Sequence, residues 1–568
     1  MFYVTRVSPD TGPPTPPRSH RGAIMSAEIP DGITIPALLR RGASQFGPRE
    51  ALVVDDARET YEQLLTHSLR YARAFTAAGL VPGDRVGLVM HNSVDLLHVL
   101  FGCSFARLTA VPINTRLSPR ELAYIITDSG MAALVTGDHA GDEVDLVGRV
   151  TAALPGLDSA GPGEQGASDA APALRHTFLL GRTTVPGLVG HGRVDELAAQ
   201  VPEDDVLSGA EAIDAEDPYL MLYTSGTTAM PKGCVLPFRS IIKTGIAVGR
   251  SNFELTSDDR LWNPLPMFHV SAQAPLTGVL DAGGTYISTV HFKPAAALAQ
   301  IKREQATVLF PAYPAIMQPL INDPEASADA LSTARAVLNV GPPNLLAKFQ
   351  DSLPSGTIQV SCYGSTESGG IAVMGRIGDS APERLTSGKP LEGIELQIRD
   401  FDGRAEVPPL TKGVIWLRGY NLFTRYHNDP AKTAMAFDDQ GWFNTEDLGM
   451  VDAGGALTFL GRFKDMLKVG GENVAAVEIE THLVSHPDVT LAAVVGRADS
   501  RLDEVPVAFV ELAPGSSVTE EALIQHCRDG LAKFKVPREV HFVTQWPMSA
   551  TKIQKFRLKE QLDQGTLL

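Results

Sequence analysis

The sequence predicts an α/β fold with a parallel β-sheet, divided into at least two domains. The chain has 568 residues, which exceeds the usual size of a single domain. Residues 85–112 read as a strand, a helix and a second strand, and this succession is typical of a parallel βαβ unit. Strand and helix patterns alternate again over 477–558, so we expect a smaller α/β domain at this end of the chain.

The elements of the first domain follow from apolar spacing and turn signals. Apolar residues at helical spacing predict a helix over 61–79, and the sequence Pro-Gly-Asp at 82–84 predicts a turn. An apolar run then predicts a strand over 85–90. Asn92, followed three residues later by Asp95, is a good helix start, and the helix leads to a strand over 109–112.

Two segments are expected to lie outside the packed core. Residues 1–25 are rich in Pro, Ser and Arg and are predicted to be disordered; Met25 is an alternative translation start. Residues 155–172 have low complexity and are predicted to form a mobile surface insert.

Composition excludes several classes of function. The formal net charge is -17 and no block of Lys and Arg stands out, which argues against a nucleic-acid partner. No apolar run reaches the roughly 18 residues of a transmembrane helix, and the N-terminus does not resemble a signal peptide. The cysteines lack CxxC spacing, which indicates neither a zinc site nor a disulfide framework and favours a reducing cytoplasm; they are Cys103, Cys234, Cys362 and Cys527.

The most informative stretch is a loop rich in hydroxyl groups between two apolar runs, at 219–223 and 233–236. Both runs read as buried strands. The loop does not fit a Walker A sequence, which opens a helix. Its hydroxyls, its backbone N–H groups and one ammonium group are suited to surrounding a polyphosphate, although a solvated turn is the alternative. The residues concerned are Thr224, Ser225, Gly226, Thr227, Thr228 and Lys232.

This loop resembles the phosphate-binding loop of the adenylate-forming superfamily, which includes acyl-CoA synthetases, peptide-synthetase adenylation domains and luciferases. Ala229 stands where that family usually has Gly. Two further blocks, at 362–368 and 461–473, resemble the family in the same order. The resemblance implies a large N-terminal domain of doubly wound sheets with a small β-barrel subdomain over 26–463. It also implies a small, mobile α/β lid over 464–568.

The resemblance also implies an adenosine and magnesium site. Tyr363 and Gly364 would lie against the adenine, and Thr366 would contact the α-phosphate. Glu367 would ligate Mg²⁺, a role that suits a carboxylate because Mg²⁺ prefers hard oxygen ligands. Two residues further along would complete the nucleotide site, with Asp447 accepting the ribose hydroxyls and Arg462 holding the ribose or a phosphate. Glu446 stands where the family commonly has Gly.

The same comparison places the acid in a pocket next to the nucleotide. His269 matches a family segment that lies near the carboxylate and gates the pocket. Amino-acid-activating relatives have Asp at this position to pair with the substrate ammonium, so His269 favours a plain carboxylic acid. Gly341 matches a turn at the adenine and acyl pocket, and Val340 replaces another family Gly. The candidate lining residues are His269, Gln273, Tyr313 and Gly341.

The remaining matches lie in the expected lid. Lys464 falls at the family's hinge, and Gly470 and Gly471 would let the backbone approach the thiol arm. Lys468 is either a ligand contact or a surface charge. Lys552 matches the lysine that reaches the carboxylate and the α-phosphate; Lys555 is its nearby competitor, and Thr551 replaces the family's preceding Gly.

These residues predict an ATP-dependent carboxylic acid:CoA ligase that works through an acyl-adenylate. The catalytic residues would be Lys552, Glu367, Thr224 and His269, with ATP, Mg²⁺ and coenzyme A as cofactor and co-substrates. A medium- or long-chain aliphatic acid is expected, in a cytoplasmic enzyme; a homodimer is allowed by the sequence. Three alternatives are an aryl or carnitine-type acid, a carrier protein as the thiol acceptor, and a non-catalytic relative.

Overall fold

The computed structural model describes residues 29, 31–138, 144–181, 183–224, 230–322, 324–470, 472–499, 501–549 and 552–565. The extension over 1–25, predicted to be disordered, lies outside these residues. None of the helices in the described part of the chain combines the length and the apolar character that a bilayer span requires.

The first half of the chain forms two large sheets and the helices that cover them. Its elements are α1 (Ile35–Phe46), β1 (Glu50–Val54), β2 (Ala57–Thr60), α2 (Tyr61–Ala77), β3 (Arg85–Val89), α3 (Val94–Phe105), β4 (Thr109–Pro112), α4 (Pro119–Ser129), β5 (Ala133–Asp138), α5 (Leu146–Ala153), β6 (His176–Gly181), β7 (Val189–Gly190), α6 (His191–Ala198), α7 (Glu203–Ala210), β8 (Pro218–Thr224), β9 (Lys232–Pro237), α8 (Phe238–Ala247), β10 (Arg260–Trp262), α9 (Val270–Ala282) and β11 (Thr285–Ser288).

The second half completes these sheets and adds smaller ones. Its elements are α10 (Pro294–Arg303), β12 (Val308–Ala312), α11 (Pro314–Ile321), α12 (Pro324–Ala330), β13 (Ala336–Asn339), α13 (Pro343–Asp351), β14 (Ile358–Val360), β15 (Cys362–Tyr363), β16 (Val373–Met374), α14 (Ala381–Arg384), β17 (Lys389–Pro390), β18 (Ile394–Arg399), β19 (Gly413–Gly419), β20 (Arg425–Tyr426), α15 (Pro430–Ala436), β21 (Phe443–Val451), β22 (Leu457–Arg462), β23 (Met466–Val469), β24 (Glu472–Ala475), α16 (Ala476–Val484), β25 (Val489–Asp499), β26 (Asp503–Leu512), α17 (Glu520–Gly530), β27 (Glu539–Phe542), β28 (Met548–Ser549), β29 (Lys552–Ile553) and α18 (Lys555–Gln564).

Two large, mostly parallel sheets confirm the predicted α/β architecture. One has the strand order β14-β13-β12-β10-β11-β1-β2, and the other has the order β20-β9-β8-β4-β3-β5-β6-β7. The largest hydrophobic core joins strands of both sheets through helices between them, as Phe75, Phe101 and Leu276 illustrate. A second core, which includes Leu122 and Val150, covers the other face of the eight-stranded sheet. Helices on both faces are what a buried parallel sheet requires.

The predicted βαβ unit is confirmed, but its helix begins one residue later than expected. β3 and β4 pair in parallel with α3 between them. The N-terminal cap is Ser93, whose hydroxyl accepts a hydrogen bond from the Leu96 N–H at 3.1 Å. The Asn92 side chain is buried and instead donates to the carbonyl oxygens of Leu265 and Thr289. A local capping rule therefore identified the helix but assigned the wrong cap, because Asn92 has a long-range partner.

The segment over 155–172 lies mostly at the surface, as predicted, but it is docked onto the core at several points rather than detached from it. Leu157 is 1% exposed and belongs to the second core, together with Ala171. The Ser168 hydroxyl donates to the Pro155 carbonyl oxygen at 2.7 Å, and the Gly166 N–H donates to the Gly187 carbonyl oxygen at 3.0 Å. Low complexity misled the prediction because a few apolar residues suffice to dock such a segment.

Antiparallel sheets occupy the region between the large sheets and the C-terminal part of the chain, where we predicted barrel-like β-structure. The strands β15-β16-β17 form one sheet, and β18-β19-β21-β22 form another. Beyond them, β24-β23-β26-β25, with β27 beside β26, form a further sheet with its own hydrophobic core. This large α/β part followed by a small one matches the predicted fold class.

Candidate active site

Several of the predicted site residues follow parallel strands of one sheet. β10, β12, β13 and β14 are parallel neighbours, so their carboxyl ends lie at the same edge. Tyr313 follows β12, Gly341 follows β13, and Tyr363 lies three residues after β14. His269 comes after β10 and is the N-terminal cap residue of α9. Ligands of open α/β sheets bind in the crevice at this edge, so the topology brings these residues together.

The ring of Tyr363 is held between an acidic and an aromatic side chain. Its hydroxyl donates to the Asp447 carboxylate at 2.8 Å, and its ring stacks on Phe459 with 5.6 Å between the centroids. Burial, reinforced by the charge of Asp447, holds the pKa of the Tyr363 phenol well above its ordinary value, so the phenol stays a donor. Arg462 pairs with Asp447 across β21 and β22, with 3.8 Å between Nε and Oδ1.

Gly364 is a position where the fold requires glycine. A Cβ atom there would lie 2.2 Å from the Gly370 carbonyl oxygen, far inside contact distance. This close approach folds the chain back at the loop that carries Thr366 and Glu367, and both of these residues are half-buried. At Gly341, by contrast, a Cβ would meet only the end of the Leu345 side chain, at 3.3 Å.

Glu367 is connected to the strands of the hydroxyl-rich loop through Tyr426. The Tyr426 hydroxyl donates to the Glu367 carboxylate at 3.1 Å, and β20 pairs Tyr426 with Cys234 on β9. The ammonium of Lys232, at the start of β9, lies 6.0 Å from the centroid of the Tyr426 ring. Lys232 and Glu367 therefore both contact Tyr426, one through a cation–π contact and the other through a hydrogen bond.

The two strands that flank the loop form as predicted, and they pair as a hairpin. β8 and β9 are antiparallel, and Thr224 pairs with Lys232 at their ends. Both residues are half-buried. The loop itself, with Ser225, Gly226, Thr227, Thr228 and Ala229, lies outside the described residues.

The predicted acyl pocket includes a buried amide. Gln273 is fully buried one helical turn after His269, and its Nε2 donates to the Met267 carbonyl oxygen at 2.5 Å. Within the described residues, its Oε1 has no hydrogen-bond partner. His269 is half-buried and lies next to the Phe268 ring. Ala312, immediately before Tyr313, has a φ of 58°, a strained value of the kind that clusters at ligand sites.

The expected lid residues are spread over a turn, a hairpin and a second hairpin near the C-terminal end. Lys464 lies in the one-turn helix Phe463–Asp465, which joins β22 of one sheet to β23 of the next. Gly470 directly follows β23 and has a φ of 62°, a conformation that favours glycine. Lys468 is exposed, and its backbone N–H donates to the Glu504 carboxylate. Gly471 lies outside the described residues.

The two candidate lysines near the C-terminal end differ in their surroundings. Lys552 lies on β29, where it pairs with Ser549 of β28. Lys555, at the start of α18, forms an ion pair of 2.6 Å with Glu480 of α16. An ammonium held by a half-buried carboxylate is less able to reach a substrate. The side chains of Lys464 and Lys552, and residue Thr551, are outside what the structure describes.

The sequence did not single out Tyr426 or Phe459 as site residues. Neither residue was assigned a role from the sequence. Phe459 lies on β22 and is 38% exposed. The signal available in the sequence was its position three residues before Arg462, on the same strand.

Glu446 has a backbone conformation that explains why the family commonly has Gly there. Its φ is 57°, which costs an L-residue about 1–2 kcal/mol, whereas glycine gains flexibility in the unfolded chain. We therefore expect Glu446→Gly to raise the free energy of unfolding by about 0.5–1 kcal/mol. Urea denaturation measures this change. Glu446→Ala is the matched control, because it removes the carboxylate but keeps the Cβ; an equal gain in both variants would contradict the strain argument.

Comparison with known proteins agrees with this geometry. Residues 39–427 match the family described as AMP-binding enzyme, and residues 478–552 match the AMP-binding enzyme C-terminal domain. A 3-[(3aS,4S,7aS)-7a-methyl-1,5-dioxo-octahydro-1H-inden-4-yl]propanoyl:CoA ligase of Mycobacterium tuberculosis is 35% identical over 540 residues, covering 94% of this chain and 99% of the relative. The long-chain-fatty-acid–CoA ligase FadD13 of the same species is 31% identical over 528 residues, covering 92% and 97%.

A solved structure extends the likeness to the fold. The crystal structure of the anthranilate CoA ligase AuaEII in complex with anthranoyl-AMP superposes with a TM-score of 0.81 at 25% identity, covering 96% of this chain and 100% of that one. The family matches and the relatives span both the large and the small part of the chain. The chain therefore belongs to the AMP-binding enzyme family, as an AMP-forming acid–CoA ligase that uses ATP and coenzyme A.

Proposed function

We propose that the acid activated by this ligase is a monocarboxylic acid with an extended apolar body, and specifically a medium- or long-chain aliphatic acid. The supporting observation concerns the three segments that follow the strands at the crevice, residues 265–273, 312–316 and 339–341. None of them contains Asp, Glu, Lys or Arg. A second charge on the substrate would therefore lack a counter-ion there, and leaving a charge unpaired in a buried site is costly.

The names of the relatives support the same class of acid. One is named for a bicyclic propanoyl group and another for long-chain fatty acids, and both substrates carry a carboxyl group on an apolar body. Phe268 and Val270 are buried beside His269. Val270 belongs to the largest hydrophobic core, and Val340 packs against that core. In the proposed pocket, these side chains contact the apolar body while Gln273 and His269 lie nearer the carboxylate.

The residue roles in the reaction are part of this proposal. Tyr363 lies against the adenine, and Asp447 accepts the ribose hydroxyls with Arg462 beside it. Thr224, Lys232 and the hydroxyl-rich loop hold the phosphates. By holding ATP in a fixed position next to the acid, these residues convert a reaction between two free anions into a reaction within one complex.

Glu367 is the residue that would hold Mg²⁺, and its half-buried carboxylate, oriented by Tyr426, fits the oxygen ligands that this ion prefers. The ion would supply positive charge to the phosphate oxygens. The acid's carboxylate attacks the α-phosphorus, forming a carboxylic–phosphoric anhydride and releasing pyrophosphate. The thiolate of coenzyme A then attacks the acyl carbonyl and AMP leaves. Lys552 stabilises the negative charge of the first transition state.

The domain organisation belongs to the proposal as well. We place the boundary at Lys464, with a large domain over 26–463 and a lid over 464–568. The turn Phe463–Asp465 joins separate sheets, as a hinge requires. Polar contacts are present across the boundary: Asn344 Nδ2 donates to the Thr481 carbonyl oxygen and Lys348 Nζ donates to the Val484 carbonyl oxygen, each at 3.1 Å. Such hydrogen bonds break at small net cost. Rotation of the lid would exchange Lys552 for Gly470 and Gly471 at the acyl carbonyl.

The proposal also includes the cellular location and the oligomeric state of the enzyme. We propose a cytoplasmic enzyme, supported by four cysteines that are buried and unpaired. A homodimer stays a prediction that light scattering tests directly.

We expect kcat/KM to rise with the chain length of the acid. AMP release is measured with ATP, Mg²⁺ and coenzyme A for butanoic, octanoic, dodecanoic, benzoic and malonic acids and for crotonobetaine. Because each buried methylene contributes about 0.8 kcal/mol, kcat/KM should rise about fourfold per methylene until the pocket is filled. Omission of coenzyme A should strongly lower AMP release. A preference for malonic acid or crotonobetaine would overturn the proposal, and a preference for benzoic acid would indicate an aryl pocket.

A further inference from the structure

The side chains of two histidines and one glutamate come together beside the edge strand β2 of the seven-stranded sheet. Glu59 lies on β2, His67 on α2 and His98 on α3. The His67 Nδ1 is 3.1 Å from one Glu59 oxygen, and the His98 Nε2 is 3.6 Å from the other. One ligand atom from each of the three residues lies within 4.8 Å of the other two. We call these residues the β2 cluster.

The cluster is buried and incompletely hydrogen-bonded. His98 is 4% exposed and Glu59 is 9% exposed. The Nε2 of His98 faces Glu59 and has no hydrogen-bond partner among the described residues. Among the described residues, the partners of the Glu59 carboxylate are the imidazoles of His67 and His98. A buried carboxylate needs a cation, and a buried ring nitrogen needs a partner, so one ion between them would satisfy both.

The distances suit a tetrahedral ion. Zinc binds imidazole nitrogen and carboxylate oxygen at about 2.0–2.2 Å, so adjacent ligand atoms of a tetrahedron lie about 3.4 Å apart. The nitrogen–oxygen separations in the β2 cluster, 3.1 Å to one Glu59 oxygen and 3.6 Å to the other, are close to this value, and small side-chain rotations would bring one atom of each residue onto the ion. His67 is 37% exposed, which leaves one side of the cluster open to water as a fourth ligand.

A second carboxylate orients one of the imidazoles. The Asp95 Oδ1 lies 3.5 Å from the Nδ1 of His98, on the opposite side of the ring from Glu59. Metal-bound histidines usually present their other ring nitrogen to a carboxylate, which fixes the tautomer and increases the basicity of the ligand. The Tyr71 ring packs against His98 with 6.5 Å between the centroids and keeps it in place.

We propose that Glu59, His67 and His98 bind a zinc ion, with Asp95 as the positioning partner of His98. Two imidazoles and a carboxylate are an established ligand set for zinc, and imidazole ligands select it over Mg²⁺. The ion would connect β2, α2 and α3. β2 is the edge strand opposite β14 in the seven-stranded sheet, so this site is separate from the crevice near Tyr363. Its role is therefore structural.

Equilibrium dialysis of the full chain tests this proposal. The protein is stripped with a chelator and titrated with Zn²⁺ in excess Mg²⁺, which occupies sites made of hard oxygen ligands. We expect about one zinc ion per wild-type chain and binding more than about 100-fold weaker in His67→Ala, since even a positioning partner of a metal ligand contributes 10- to 100-fold. Asp95→Asn should weaken binding within that smaller range. Co²⁺ should give the visible absorption of a tetrahedral complex in the wild type and not in His67→Ala.

The matched control is His541→Ala. His541 also pairs with one carboxylate, that of Glu539 at 3.3 Å, but among the residues that the structure describes no third ligand accompanies them. This variant should bind zinc like the wild type. His67 is partly exposed, so the variant should still fold and release AMP in the presence of the acid, and it should lose only the stabilisation that the bound ion adds. Equal zinc binding by the wild type and His67→Ala would overturn the proposal and leave a hydrogen-bonded histidine–glutamate pair.

Discussion

Replacement of Lys552 by Ala is expected to lower the rate of adenylate formation by about 10²–10³-fold, the cost of removing one preorganised group that stabilises developing charge. The acid carboxylate and the α-phosphate both carry negative charge, so their approach requires a cation. The conversion of a supplied acyl-adenylate to acyl-CoA should be nearly unchanged, because AMP leaves without that ammonium in the proposed second conformation. Pyrophosphate release measures the first step, and thioester formation from synthetic acyl-adenylate measures the second.

Lys555→Ala is the matched control for this prediction. Lys555 is three residues away and carries the same charge, but its ammonium pairs with Glu480 at 2.6 Å. Its loss should change adenylate formation by less than about tenfold, since a partly exposed ion pair contributes little. If Lys555→Ala abolished adenylation and Lys552→Ala did not, the two assignments would have to be exchanged. If both steps fell equally in Lys552→Ala, the proposed division of labour between two conformations would be wrong.

Glu367→Gln should have an effect of comparable size. The amide has the shape of the carboxylate and can still accept from Tyr426, but it has lost the charge that Mg²⁺ requires. We expect the rate of adenylate formation to fall about 10²-fold or more, with a higher Mg²⁺ concentration needed for half of the maximal rate. Titration of Mg²⁺ at saturating ATP separates a loss of ion binding from a loss of fold.

Two further variants define what the Glu367 result means. Tyr426→Phe removes the hydroxyl that donates to Glu367 at 3.1 Å, and a hydrogen bond to a charged group contributes about 1.5–3 kcal/mol. It should therefore give an intermediate loss and a smaller shift in the Mg²⁺ requirement. Glu395→Gln, which removes an exposed carboxylate paired with Arg418, should have no effect. An unchanged Mg²⁺ requirement in Glu367→Gln would rule out its assignment as the metal ligand.

Much of the fold was predictable because its signals are local. The hairpin around Thr224, the βαβ unit from β3 to β4 and the second α/β region all follow from short apolar runs and turn residues. The segment over 155–172 was misjudged because composition does not report docking. The cap of α3 was misassigned because Asn92 bonds to residues far away in the sequence.

The sequence by itself determined the family, the order of the elements and the residue types at the proposed site. Motif blocks carry that information because the chemistry needs particular side chains at short spacings. Only the tertiary structure decided which distant groups meet, such as Tyr426 with Glu367, Phe459 with Tyr363, and the members of the β2 cluster. It also decided where the backbone is strained, as at Glu446 and Ala312. Such contacts and dihedral angles result from the packing of whole sheets, and no local pattern of residues encodes them.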